Sequence, residues 1–216
     1  MNFTLLENTI VICGMRRSGK SELARILIMN EKKKFNHIFA ISPTNKCNKF
    51  YDEFVEEKNI ISNYSGEWVD QLFVQMENVN LGKNKNSENI INTLLIIDDS
   101  ASNEGFKTNN SLEKLFTIGR HYFISVLLIC QRIKSLSTTC RINTNFLLCG
   151  LLNKQSTDLL IHEYALGDIE SKKFKEIYKK AVENFGFLII NNSSSDSNMN
   201  SYYASIRIPK EKIKVL

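Results

Sequence analysis

Gly14 to Ser21 reads GMRRSGKS, matching the pattern G-x-x-x-x-G-K-[ST]. Glycines at that spacing let a backbone wind closely around a polyphosphate, and successive N–H groups and a helix N-terminus then supply positive potential. Lys20 is expected to reach the β- and γ-phosphates, and Ser21 to place its hydroxyl on Mg²⁺. Gly14, Met15, Arg16, Arg17, Ser18, Gly19, Lys20, Ser21 and Glu22 make up the expected ATP-binding set. Arg16 and Arg17 are unusual inside such a loop. They read as a solvated rim, with contact to a neighbouring subunit as the other possibility.

Two further stretches carry compatible chemistry. The run TLLIIDD ends in adjacent acids, Asp98 and Asp99. At the carboxyl end of a parallel strand Asp98 would stand on the metal side, and Asp99 where a carboxylate polarises an attacking water. A kinase has no use for activated water, so the acid pair favours hydrolysis. Gln131 follows the apolar run ISVLLIC, and an amide there is expected to sense the γ-phosphate or orient the water.

The elements that must position these groups are legible in the patterning. Thr9 to Cys13, His37 to Ser42, Thr93 to Asp98, Ile124 to Cys130 and Asn145 to Gly150 are short apolar runs that predict buried strands. Helical spacing follows the phosphate loop and recurs over Lys49–Glu57, Trp68–Met76, Asn109–Gly119, Lys154–Leu166 and Asp168–Asn184. Asn109 or Asn110 is the expected N-cap of the fourth of these, and the polar stretch from Asn78 to Asn92 predicts an exposed loop. Near the end, FGFLIIN and SYYASIRI flank the polar tract NSSSDSNMN and predict a β-hairpin. Strands alternating with helices imply a mostly parallel sheet with right-handed crossovers, in one domain spanning 1–216 with its core at about 9–150.

Composition narrows the class. The chain has 216 residues, 43% hydrophobic and 24% charged, which suits a single α/β domain. No apolar run approaches the ~20 residues that cross a bilayer, and no secretory signal is visible, so the protein is expected not to be secreted. Five cysteines without C-x-x-C spacing read as free thiols, and three scattered histidines argue against a zinc site. Lys plus Arg number 28 against 23 acids, a net +5, compatible with contact to a polyanion.

Taken in order, GMRRSGKS, IFAISPT, LLIIDDS, GRHYFISVLLICQR and CRINTNFLLCG resemble the FtsK/HerA superfamily of DNA-pumping P-loop ATPases, in particular its poxvirus-type viral genome-packaging members. The likeness covers about Ile10 to Gly150. It implies a P-loop NTPase fold of RecA/FtsK-HerA type, an α/β architecture with a mostly parallel central sheet flanked by helices and a C-terminal hairpin. It also implies ATP and Mg²⁺ at Lys20, Ser21 and Asp98, with Asp99 in the place of the catalytic carboxylate and Gln131 as the polar sensor. The family usually has Glu where Asp99 stands, one methylene longer.

In this superfamily an arginine from a neighbouring subunit completes the site, and Arg120 and Arg141 are the two candidates. The implied partners are double-stranded DNA, capsid proteins and further copies of the chain in a ring of five or six. The implied location is the host cytoplasm or viral factory, with virion association. Two other readings are a small-molecule kinase and a nucleotide-gated interaction module. The kinase reading is weakened because the polar insert Asn78 to Asn92 contains no arginine for a lid.

Overall fold

The computed structural model describes residues 3–99, 106, 109–165, 169–194 and 202–209. Its strands are β1 (Thr9–Cys13), β2 (His37–Ile41), β3 (Ile60–Ile61), β4 (Thr93–Asp98), β5 (Ile124–Cys130), β6 (Phe146–Cys149), β7 (Gly186–Asn191) and β8 (Tyr203–Arg207). Its α-helices are α1 (Lys20–Glu31), α2 (Asn45–Asn48), α3 (Gly66–Val79), α4 (Asn110–Ile118), α5 (Thr138–Ile142), α6 (Lys154–Tyr164) and α7 (Ser171–Val182).

All the strands join one sheet in the order β3-β2-β4-β5-β1-β6-β7-β8. β3 to β6 across that order run parallel, whereas β7 pairs antiparallel with β6 and β8 antiparallel with β7. The expected sheet and closing hairpin are both present. The two-residue β3 is an edge strand too short to leave a pattern in the sequence.

β1, β4, β5 and β6 are buried along their whole length, so their apolar runs are continuous rather than alternating. One face packs on α3 to α7 through residues such as Val11, Leu95, Phe73, Leu115, Leu160 and Phe174. The other packs on α1 through Ile10, Ile12, Leu23, Leu27, Ile96 and Phe187. Side-chain caps start several helices: Asn109 accepts from the Leu112 amide as expected, and Ser65 accepts from Trp68 and Asn153 from Ser156.

The helix expected over Lys49–Glu57 is not there. The chain forms the short α2, a left-handed turn at Lys49 and a 3₁₀ turn at Tyr51–Glu53. Asn45 accepts from the Tyr51 amide and donates to Asp52, while Phe50, Tyr51 and Phe54 pack edge to face at 5.0–5.7 Å. That aromatic cluster gives the segment a helix-like spacing. Burial of Tyr51 against the sheet outweighs local propensity. The helix ends expected at Leu166 and Asp168 and most of the polar tract lie outside the described residues. No helix among the described residues is long and apolar enough to cross a membrane.

Candidate nucleotide site

Parallel strands deliver their following loops to one edge, and the predicted groups meet there. The phosphate loop leaves β1. Ser42 to Thr44 leave β2, the acid pair ends β4, Gln131 and Arg132 follow β5, and Gly150 with Leu151 follow β6.

The loop is held by backbone bonds to both neighbouring strands. Gly14 N donates to the Cys130 carbonyl (3.2 Å) and Met15 N to the Leu151 carbonyl (2.7 Å). Gly19 has φ +87°, in the left-handed region, and a Cβ there would come within 2.5 Å of Ile208 Cδ1. At Gly14 a Cβ would come within 2.5 Å of Ser18 Oγ, so the loop closes tightly on itself. Helix α1 starts at Gly19 without a side-chain cap, leaving its first N–H groups for a ligand.

Lys20 Nζ donates to the Met15 carbonyl at 2.9 Å, folding over the loop as a phosphate-binding lysine does. Burial lowers its pKa, and the acidic charges of Asp99 and Asp98 oppose the shift. Among the described residues, Ser18 Oγ is buried without a hydrogen-bond partner. A tight cradle, an orphaned hydroxyl inside it and an uncapped helix start fit a polyphosphate.

Asp98 is 7% exposed, and its Oδ2 accepts from the Tyr51 hydroxyl at 2.7 Å. Burial raises its pKa to about 6, against the Tyr51 hydrogen bond, which lowers it. Asp99 takes a left-handed conformation (φ 52°) that turns it out of the strand line, and Gln131 Nε2 donates a long 3.4 Å bond to its Oδ1. Arg16, Thr44, Asp99, Gln131 and Arg132 line one cleft of about 410 Å³. A buried carboxylate, an exposed serine at the start of α1 and a neighbouring acid form a hard-oxygen donor set that suits Mg²⁺.

Sequence reasoning placed Lys20, Asp98, Asp99 and Gln131 on one edge, and the structure brings them together. It also brings in Arg16, which reaches the cleft, whereas Arg17 is exposed in a left-handed turn of the loop (φ 61°). The Glu22 side chain pairs with Arg25 at 2.7 Å. Tyr51, Thr44 and Arg132 were missed. The polar S-P-T after β2 was a usable signal for Thr44, and Gln131 for its neighbour Arg132. No local pattern marks Tyr51, whose role depends on a contact 47 residues away.

The two candidate arginines lie away from this edge. Arg120 sits in the turn Gly119–Tyr122 just before β5, at the amino ends of the strands. It is exposed and, among the described residues, its side chain makes no hydrogen bond or ion pair. Arg141 on α5 is paired with Glu163 through Nε (2.8 Å) and Nη2 (2.7 Å), and its Nη1 donates to the Leu136 carbonyl (2.7 Å).

Residues 4–213 match the family described as Poxvirus A32 protein. The chain belongs to that family. It is 21% identical over 212 residues to uncharacterized protein 015R of Frog virus 3 (isolate Goorha), covering 95% of this chain and 63% of that relative's length. Among solved structures, the genome packaging NTPase B204 of Sulfolobus turreted icosahedral virus 2, in complex with AMPPCP, superposes with a TM-score of 0.64 at 17% identity. That match covers 96% of this chain and 100% of B204. The pCW3 conjugation coupling protein TcpA with ATPγS gives 0.57 at 16% identity, over 86% of this chain and 57% of TcpA. The A32-family chain therefore has a P-loop NTPase fold.

Proposed function

We propose that this A32-family chain is an ATP-hydrolysing motor that drives double-stranded viral DNA into a preformed capsid, working in the host cytoplasm or viral factory. The observation that carries the reading is the single cleft where Asp99 and Gln131 face the phosphate loop, on a fold shared with a genome packaging NTPase.

Lys20 leaves its resting bond to the Met15 carbonyl and binds the β- and γ-phosphates of ATP. Asp99 accepts a proton from the attacking water, and Gln131, already bonded to Asp99, orients that water toward the γ-phosphorus. Asp98 and Ser21 are the residues that would hold Mg²⁺, which when bound would supply charge to offset that developing on the phosphates. Tyr51 keeps the Asp98 carboxylate in one rotamer.

Arg120 completes a neighbouring subunit's site. Its place at the amino ends of the strands excludes its own subunit's cleft and suits a head-to-tail interface that closes into a ring. DNA passes through that ring, gripped by its phosphates without regard to sequence.

The test is ATP hydrolysis by the full chain with and without duplex DNA, across a range of protein concentrations. We expect turnover that rises with DNA and more than linearly with protein, and that disappears in Lys20→Ala. Hydrolysis indifferent to DNA in every assembly condition would discard the motor reading.

A further inference from the structure

We propose that Phe185 is the platform on which the nucleobase stacks. This rests on the nucleotide reading above and adds a subsite to it.

The polarity of the bound nucleotide follows from the edge already described. Asp99 and Gln131 directly follow β4 and β5, so the terminal phosphate points to that side of the loop. The ribose and base must then leave on the opposite side, toward β6, β7 and β8. Because β7 runs antiparallel to β6, its first residue lies at the same edge as the phosphate loop, and the register Gly186↔Arg207 brings the end of β8 there too.

What stands at that place is an aromatic ring. A Cβ on Gly19 would lie 3.6 Å from Phe185 Cδ1, so the ring stands beside the backbone of the phosphate loop. Phe185 is 41% exposed, while Phe187, two residues on, is fully buried beneath Gly150. The backbone is shaped to hold this presentation. Asn184 and Phe185 both take left-handed conformations (φ 53° and 56°), which side-chain-bearing residues seldom adopt. The next residue has to be glycine, since a Cβ on Gly186 would run into the Ala181 carbonyl.

An open aromatic face beside a phosphate cradle offers the one contact the cradle lacks. Stacking on a base is worth about 5-fold to 150-fold in affinity by alanine substitution. Ile208, buried at 3% exposure against the same glycine, backs the loop from beneath and leaves Phe185 as the open apolar face. The ligand class is a nucleotide, held by its phosphates in the loop and by its base on Phe185.

The experiment compares two probes, ADP and inorganic tripolyphosphate, binding to the full chain by calorimetry. Phe185→Ala is expected to weaken ADP about tenfold and to leave tripolyphosphate within about twofold. Phe185→Leu, which keeps apolar bulk without a π face, should move in the same direction and serves if the alanine variant does not fold. Phe185→Trp should keep ADP affinity, and ADP should quench its indole emission beyond any change in wild type, whose one tryptophan is Trp68.

ADP affinity unchanged in Phe185→Ala and Phe185→Leu would overturn the proposal while leaving the nucleotide site intact. So would an equal loss of ADP and tripolyphosphate, which would make the ring a support for the loop. If wild type bound neither probe, or Lys20→Ala bound both as well as wild type, the nucleotide reading itself would fall and the base platform with it.

Discussion

The Tyr51 hydroxyl donates to Asp98 Oδ2 over 2.7 Å, joining the turn after β2 to the end of β4 inside the protein. It is a buried phenol holding a buried carboxylate; burial chiefly lifts the pKa of both, and the Asp99 charge adds to it. The site thus keeps in place a group that destabilises the empty protein.

That cost depends on pH. The Asp98 carboxyl has a pKa of about 6 in the fold against an ordinary 3.8. Below 3.8 it is protonated in both states and costs nothing. Between 3.8 and about 6 the unfolded chain releases the proton first, so stability falls as pH rises, and above about 6 the penalty is complete. Two pKa units correspond to about 3 kcal/mol. Asp98→Asn, free of nucleotide and divalent cation, should melt higher than wild type at pH 7 and lose the pH dependence between 4 and 7 that Asp98 contributes. Denaturant titrations at several pH values in EDTA check this, and equal stability of the two proteins at pH 7 would contradict it.

Tyr51→Phe removes the side-chain donor that lowers the pKa of Asp98, leaves the Asp99 backbone hydrogen bond and the Lys20 charge in place, and keeps the ring in its aromatic cluster. We expect a loss of about 1–3 kcal/mol at pH 7, shrinking at pH 4 where the carboxyl is neutral. The same denaturant series reads it out, and a loss independent of pH would mean the hydroxyl serves something other than Asp98.

Arg120 and Arg141 should part company in one pair of measurements. Arg141 is bidentate to Glu163, with side chains only 11% and 24% exposed, so Arg141→Ala and Glu163→Gln should each destabilise the fold by about 1–3 kcal/mol. Arg120→Ala, on an exposed turn, should leave the melting temperature nearly unchanged. Its ATPase should fall by roughly 10³ and return when it is mixed with Lys20→Ala subunits. Assembled mixtures that stay inactive would remove Arg120 from the trans role.

Tyr178 braces the loop from a distance. Its hydroxyl donates to the Gly150 carbonyl (2.9 Å) and accepts from Leu152 N (2.8 Å), and the intervening Leu151 carbonyl holds Met15 N. Tyr178→Phe leaves two backbone groups without that partner and should cost about 2 kcal/mol of stability. Because the brace ends on the phosphate loop, ADP affinity should weaken as well. Calorimetry on the folded variant checks the second effect, which a purely local packing role would not produce.

Much of this protein could be read before folding it. The apolar runs that became β1, β2, β4, β5 and β6 are continuous because both sheet faces are covered, and that pattern is visible in one dimension. The misreading of Lys49–Glu57 has the opposite cause. Phe50 and Phe54 sit four apart as on a helix, yet they are spaced to pack on Tyr51, whose hydroxyl is committed to Asp98.

The sequence by itself determined the phosphate loop, the acid pair at the end of β4, the place of Gln131 after β5 and the mostly parallel character of the sheet. Each of these is written in neighbouring residues: glycine spacing, strand-terminal charges, and apolar runs of set length. Only the tertiary structure decided which arginine is tied down and which is open, that Tyr51 guards Asp98, and that Phe185 stands exposed beside Gly19. Those facts are contacts between segments tens of residues apart. They exist only once the strands have aligned and their loops share an edge.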